Sequence, residues 1–299
     1  MEMIESIIDY KRIYKNWIRV GYYYKIKKSQ LITIELRNEE KLTVPKELVN
    51  FIALLIKEGK YSMAIYRGFQ FDLTSGIFTF PYDKKNVRME VYKNNKFNGE
   101  FASFLGDYDF LQPIKDNTVI DIGMNIADSS IYFALNEASF VIGLEPYKYS
   151  YEMALENIEI NDLKGKILPL HAGYGRDGII EVEDKVSDIG SVLEEHKGGI
   201  KIPLLSLSKL LEQYQYNISG ELLLKMDCEG CEYSILYENE SVLKKFSRII
   251  IEYHNGYNEL KTKLENSGFS VKYTKPNVWV DKSTNIHYVH GGLYAIKKD

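Results

Sequence analysis

Five apolar runs beyond residue 112 each stop at residues able to do chemistry. TVIDIG stops at Asp121 and Gly123, FVIGLE at Glu145, KILPLH at the turn HAGYG, ELLLKMDCEG at Asp227 and Glu229, and RIIIEYH at His254. Any one of these acids alone is as readily a helix cap or a solvated loop residue. Together they supply what a reactive edge needs: carboxylates that accept hydrogen bonds or face positive charge, and an imidazole whose pKa lies near neutrality.

For those ends to meet, the runs must be parallel strands of one sheet. Strand-like runs alternate there with segments of helical spacing, namely SSIYFALNEA, YEMALENIEIN, YSILYENESVLKKF and YNELKTKLENSG, which is the pattern of an α/β protein. FSVKYT and LYAIKK suit an antiparallel finish. The expected fold class is therefore α/β, a doubly wound, mostly parallel sheet with an antiparallel last strand, whose ligands lie at the carboxyl ends of the strands. The expected division is 1–112, a mixed α+β extension, and 113–299, the ligand-binding domain. Within the extension, Tyr10 to Ile26 reads as one basic, aromatic helix, LITIEL and KLTV as a hairpin, and FQFDL and GIFTF as strands around the turn TSG.

The turn after the first strand separates two ligand classes. A dinucleotide fingerprint needs glycine where the backbone approaches the pyrophosphate. Asn125 occupies that register here, and its side chain would obstruct a diphosphate. S-adenosylmethionine carries no phosphate, needs a tight turn of small residues, and brings ammonium and sulfonium charges that Asp121 suits. Glu145, 24 residues after Asp121 at the end of the next strand, is placed to accept hydrogen bonds from ribose hydroxyls. Asp128 and Ser129, at the following helix start, are expected both to cap it and to meet the cofactor. Tyr174 in HAGYG is expected to stack on the adenine or, as readily, to be a packing residue.

VIDIGMNIADSSIYFAL, GLEPYKYSYEMALENIEIN and LLLKMDCEGCEYSIL resemble the blocks of the FkbM-type S-adenosylmethionine-dependent methyltransferases, over roughly residues 98 to 299. The resemblance implies a class I methyltransferase, Rossmann-like fold. It places the family's cofactor motif on Asp121, Gly123, Asn125 and Ala127, its ribose acid on Glu145, and its K-x-D-x-E-G block on Lys225, Asp227, Glu229 and Gly230. The family usually has glycine at Ala127 and alanine at Met124. The resemblance also implies an oxygen nucleophile, a hydroxyl on a sugar, glycan or small natural product, as methyl acceptor.

In-line methyl transfer to a hydroxyl profits from a base, and Asp227, Glu229 and His254 are the candidate catalytic residues. Asp227 is also a candidate for the cofactor's methionine end. Lys225 shares a strand face with Asp227, and a lysine inside a parallel strand calls for a carboxylate partner, Asp121 or Glu252. Two other readings stand beside the methyltransferase: a non-catalytic cofactor-binding protein of the same fold, and a nicotinamide-dependent oxidoreductase, which Asn125 disfavours. Cys228 and Cys231, in MDCEGCE, read as two reduced residues flanking a turn, because one C-x-x-C pair cannot supply four zinc ligands. No set of residues at metal-site spacing is visible, so no metal is expected.

A net charge of −4 over 299 residues argues against dedicated nucleic-acid binding, which draws its affinity from phosphate contacts. The amino terminus, MEMIESIIDYKRIYK, carries charges where a secretory signal would be apolar. The longest apolar run, VNFIALLI, is too short for a transmembrane segment. The simplest expectation is a cytoplasmic enzyme, with self-association as a homo-oligomer compatible with it. The extension is expected to shape or cover the acceptor site. Its Tyr10, Tyr14, Trp17 and Tyr22 to Tyr24, interleaved with Lys11, Arg12, Lys15 and Arg19, suit a glycan or a membrane surface, a docked amphipathic helix being the simpler alternative.

Overall fold

The five apolar runs pair side by side, as their lack of alternating polarity predicts for strands buried on both faces. In the computed structural model, β1 (Thr118–Ile122), β2 (Phe140–Leu144), β3 (Ile167–Leu170), β4 (Leu222–Met226), β5 (Phe246–Tyr253), β6 (Phe269–Tyr273) and β7 (Ile286–Lys297) form one sheet in the order β3-β2-β1-β4-β5-β7-β6. The first five are parallel; β7 runs antiparallel between β5 and β6. A short strand, Asn277–Asp281, pairs with the start of β7. The structure describes residues 2–57, 68–93, 96–99, 101–182, 198–281 and 286–298.

The order reverses between β1 and β4, the kind of position at which open α/β sheets bind ligands outside the carboxyl ends of their strands. All residues of β1 and β4 are buried. The core on this sheet includes Ile120, Ile142, Leu224, Ile249 and Leu260. The helices Asp128–Leu135, Lys148–Ile160 and Asn258–Asn266 follow β1, β2 and β5.

The chain divides into two compact units, Met1–Gly106 and Asp107–Asp299. The second begins six residues earlier than the change of pattern at 113 suggests. The Arg248 guanidinium explains why: it donates to the carbonyls of Gln112 and Pro113, and the Phe110 and Tyr108 rings meet Tyr294 and Phe133. Those contacts are all made after β1, invisible to a local reading.

In the first unit the hairpin (Leu31–Glu35 with Lys41–Pro45) and the strands Gln70–Asp72 and Ile77–Tyr82 stand where expected. A third strand, Lys85–Glu90, and the helix Lys46–Lys57 are additional. That helix contains the run VNFIALLI, buried along Leu48, Val49, Ile52 and Leu55. The single helix expected over Tyr10 to Ile26 is broken. It ends at Ile13, Tyr14 forms a bridge with Leu36, and a new helix, Trp17–Gly21, runs into a π-helical turn, Tyr22–Ile26.

The helix expected over YSILYENESVLKKF also fails. A 3₁₀ segment, Cys231–Tyr237, is followed by extended residues and a four-residue helix, Glu240–Leu243. Buried Glu238 diverts the chain: its carboxylate accepts from the Leu207 N–H at 2.7 Å and the Tyr174 hydroxyl at 3.2 Å.

Candidate active site at the strand ends

Lys225 of β4 lies directly opposite Asp121 of β1. Their side chains, 2% and 0% exposed, form an ion pair with Nζ 3.0 Å from Oδ1. The other Asp121 oxygen accepts from the hydroxyls of Ser129 and Ser130 at 2.7 and 2.6 Å. Lys225 also donates to the carbonyls of Gly123 at 2.6 Å and Ile122 at 3.3 Å. Burial pulls its pKa down, but the charges of Asp121 and Asp227 outweigh that and leave it raised, so the ammonium persists. Of the two partners the sequence offers, Asp121 is the one used.

The turn after β1 is consequently held from both sides. Gly123 has φ of +77°, and a Cβ there would sit 1.8 Å from the Asp227 carbonyl oxygen, so only glycine lets the two strand ends approach. Asn125 and Ala127 follow at φ of +48° and +69°. The left-handed backbone at Ala127 is a conformation that favours glycine. Glu145, buried at the end of β2, accepts the Asn125 N–H at 3.0 Å and the Tyr147 N–H at 2.8 Å. Burial raises its pKa to about 7 despite those bonds.

At the ends of β4 and β5, Asp227, Glu229 and His254 come together. His254 Nε2 is 3.3 Å from Glu229 Oε2, and its Nδ1 is 3.0 Å from Glu232 Oε1. Glu232, fully buried, also accepts the backbone N–H groups of His254 at 3.0 Å and Gly230 at 2.8 Å. Burial pulls the His254 pKa down, but the Glu232 hydrogen bond and the charges of Glu232, Glu229 and Asp227 carry it up to about 9. Burial raises the Glu229 pKa as well. The Tyr108 hydroxyl is 3.4 Å from Asp227 Oδ2, and its ring faces Lys225 Nζ at 5.7 Å. Single ligand atoms of Asp227, Glu229 and His254 lie within 4.8 Å of one another, a spacing that a divalent cation can bridge. Sequence spacing hid this set, because His254 arrives from another strand.

Asp121, Gly123, Asn125, Ala127 and Glu145 thus share one turn, and Asp227 abuts it. Ser129 reaches Asp121, and Asp128 is buried at the helix start with no capping bond from the N-cap residue, Ala127. Tyr174 is a packing residue: its ring belongs to the core cluster and its hydroxyl is spent on Glu238, which corrects the stacking expectation. The ring pair beside Glu145 is instead Tyr151 on His171, 4.9 Å apart, with His171 Nε2 bonded to the Pro146 carbonyl at 3.0 Å. Cys228 and Cys231 are joined by a disulfide rather than reduced, because the turn sets their Cα atoms 5.5 Å apart, within bridging range. Glu232, Tyr108, Ser130 and Tyr151 are additions. No local signal marked Glu232, which stands among other polar residues of the turn.

The sequence matches the methyltransferase FkbM domain over residues 121–271, just over half of the chain. The chain belongs to the FkbM methyltransferase domain family. This FkbM domain is of the S-adenosylmethionine-dependent class, and its residues fit that cofactor: the Glu145 carboxylate holds the turn at Asn125, Asp227 and Glu229 cluster at the neighbouring strand end, and Lys225 is spent on Asp121. Such a donor set suits a cationic, phosphate-free ligand. None of the curated protein sequences matches the chain. Among solved structures it is similar to TYW2 of P. horikoshii in complex with MeSAdo (14% identity, 86% of this chain and 88% of that one, TM-score 0.39). It is also similar to TrmK of M. capricolum in complex with S-adenosyl-homocysteine (15%, 67% and 70%, TM-score 0.35). A chain from Streptococcus pneumoniae matches at 15% identity over 62% of this chain and 66% of that one, just under two thirds of its length, with a TM-score of 0.33.

Replacing Lys225 by Met leaves Asp121 as an uncompensated buried charge, a loss of about 3–5 kcal/mol. Urea unfolding of Lys225→Met is expected to show that loss, and Lys225→Met with Asp121→Asn to recover part of it. Unchanged stability with a large fall in turnover would instead place the lysine in the chemistry.

Proposed function

We propose that this FkbM domain catalyses S-adenosylmethionine-dependent O-methylation of a hydroxyl on a sugar, glycan or small natural product, with His254 as general base. The observation that carries the reading is the buried Glu232 carboxylate holding His254 Nδ1, which leaves Nε2 turned toward the Asp227 and Glu229 side of the crevice. The cofactor supplies an electrophilic methyl group on a sulfonium. Glu145 is the residue proposed to hold its ribose, and the turn Gly123 to Ala127, with Asp128 and Ser129 behind it, to seat its methionine end beside Asp227.

Once the ring is neutral, Glu232 fixes its tautomer, keeping the proton on Nδ1 and the lone pair on Nε2. Nε2 takes the acceptor hydroxyl proton as the oxygen attacks. Asp227 and Glu229 position that hydroxyl and stabilise the imidazolium that results. Positioning and base catalysis are each large enough to matter, the latter at about 10²- to 10⁴-fold.

Transfer of labelled methyl to hydroxyl-bearing sugars is the test. His254→Ala should lower kcat by about 10²- to 10⁴-fold. Because His254 titrates near pH 9, wild-type kcat should rise about tenfold per pH unit below that value and then level off. The stability that protonated His254 gains from its carboxylates is fully present below its ordinary pKa of 6.5 and is lost as pH rises through about 9. Activity and stability should therefore move oppositely across that window. Glu232→Gln should shift the kinetic inflection to lower pH, an effect that a purely structural carboxylate would not produce. Label found only on nitrogen acceptors would sink the O-directed reading.

The approach of Asp227, Glu229 and His254 favours one second reading, in which a divalent cation binds these three and orients the acceptor oxygen. It needs the same Nε2 lone pair as the base. The leading reading expects activity to survive EDTA; abolition, with recovery on adding magnesium, would replace it by the second.

A further inference from the structure

The amino-terminal unit presents a surface that the methyl-transfer reading does not use. Along the helix Trp17–Gly21 and the π-helical turn Tyr22–Ile26, two opposite stripes repeat every four residues. Val20 and Tyr24 face inward: Val20 is fully buried, and the Tyr24 hydroxyl accepts from Asn50, which in turn accepts from Tyr10. Ile18, Tyr22 and Ile26 face outward, 69%, 49% and 71% exposed. Three large apolar side chains in a row on the solvent face call for a partner that covers them.

Charge says which partner. Lys11, Arg12, Lys15, Arg19, Lys25, Lys27 and Lys28 are all exposed, Lys15 being paired with Glu39 at 2.6 Å. Over residues 8–28 the one acid is Asp9, already paired with Lys57 at 3.0 Å. This segment is strongly cationic in a chain whose net charge is −4. Lys15, Arg19, Trp17, Ile18 and Tyr22, with Asn16, line an open depression of about 470 Å³. Arg19 and Lys27 both lie over the Tyr23 ring, at 5.6 and 5.1 Å. A second copy of the chain docked on the same face would set these cations against one another. A soluble polyanion would match the charge and leave the isoleucines bare.

We propose that this surface docks on an anionic phospholipid bilayer. Ile18, Tyr22 and Ile26 enter the boundary between headgroups and acyl chains, and the surrounding lysines and arginines reach back to the lipid phosphates and carboxylates. The depression beside Arg19 is of a size to take one headgroup. In this arrangement the helix lies in the membrane plane; among the described residues no helix is long and apolar enough to cross one.

Sedimentation of the full chain with vesicles tests this. Binding is expected to vesicles of phosphatidylcholine mixed with phosphatidylserine, to fall as salt rises, and to be absent for phosphatidylcholine alone. Arg19→Ala with Lys25→Ala should weaken partitioning by about 25-fold, at roughly fivefold per charge. Ile18→Ser with Ile26→Ser should weaken it by about tenfold or more, with the thermal melting curve of both variants unchanged because these side chains are exposed. Several results would overturn the proposal. They are no binding to acidic vesicles, equal binding to both kinds, a loss caused by the charge changes but not by the isoleucine changes, and a concentration-dependent dimer abolished by the isoleucine changes.

Discussion

The Lys225–Asp121 ion pair is the joint on which the site depends. It couples β4 to β1 at the place where the strand order reverses, and each partner does further work at the same point. Lys225 holds the carbonyls that begin the turn, and Asp121 gathers the first two serine hydroxyls of the helix that ends it. Taking two charges out of water is costly, and the cost is offset only where the remaining lone pairs and protons are bonded. Here they are. The pair therefore specifies one arrangement of the turn, one that a hydrophobic pair of the same volume would not dictate.

From that joint the crevice follows. Gly123 can lie against the Asp227 backbone because it has no Cβ, which fixes the β1 turn beside the β4 turn. Glu145 ties the third member, the end of β2, to Asn125. The β4 turn then passes through Glu229 and Gly230, both with left-handed backbone, and delivers Glu232 to His254 on β5. Four strand ends are thus linked by hydrogen bonds and one glycine contact.

The strands were legible because each is a continuous apolar run, and the reactive residues were legible because they interrupt those runs at their ends. Chain-local pattern failed where a distant group decides the conformation. Glu238 breaks the helix expected after Tyr233 by bonding to Leu207 and Tyr174, and Arg248 ties Gln112 to the second unit. Glu232 looked like one more polar residue in a turn, since its partner His254 lies 22 residues away. Tyr174 carried the right ring type at a plausible place, yet nothing local shows that a buried carboxylate would claim its hydroxyl. The Cys228–Cys231 bridge depends on the turn geometry that Gly230 permits, which residue counting does not supply.

The central claim is that the turn between Asp121 and Glu145 binds S-adenosylmethionine. Calorimetric titration of the purified chain with S-adenosylmethionine and S-adenosylhomocysteine, beside NAD and beside Glu145→Ala, tests it most directly. Saturable binding of both ligands, weakened by the substitution and absent for NAD, is the predicted result. Tight binding of NAD with none of either S-adenosyl compound would contradict the account.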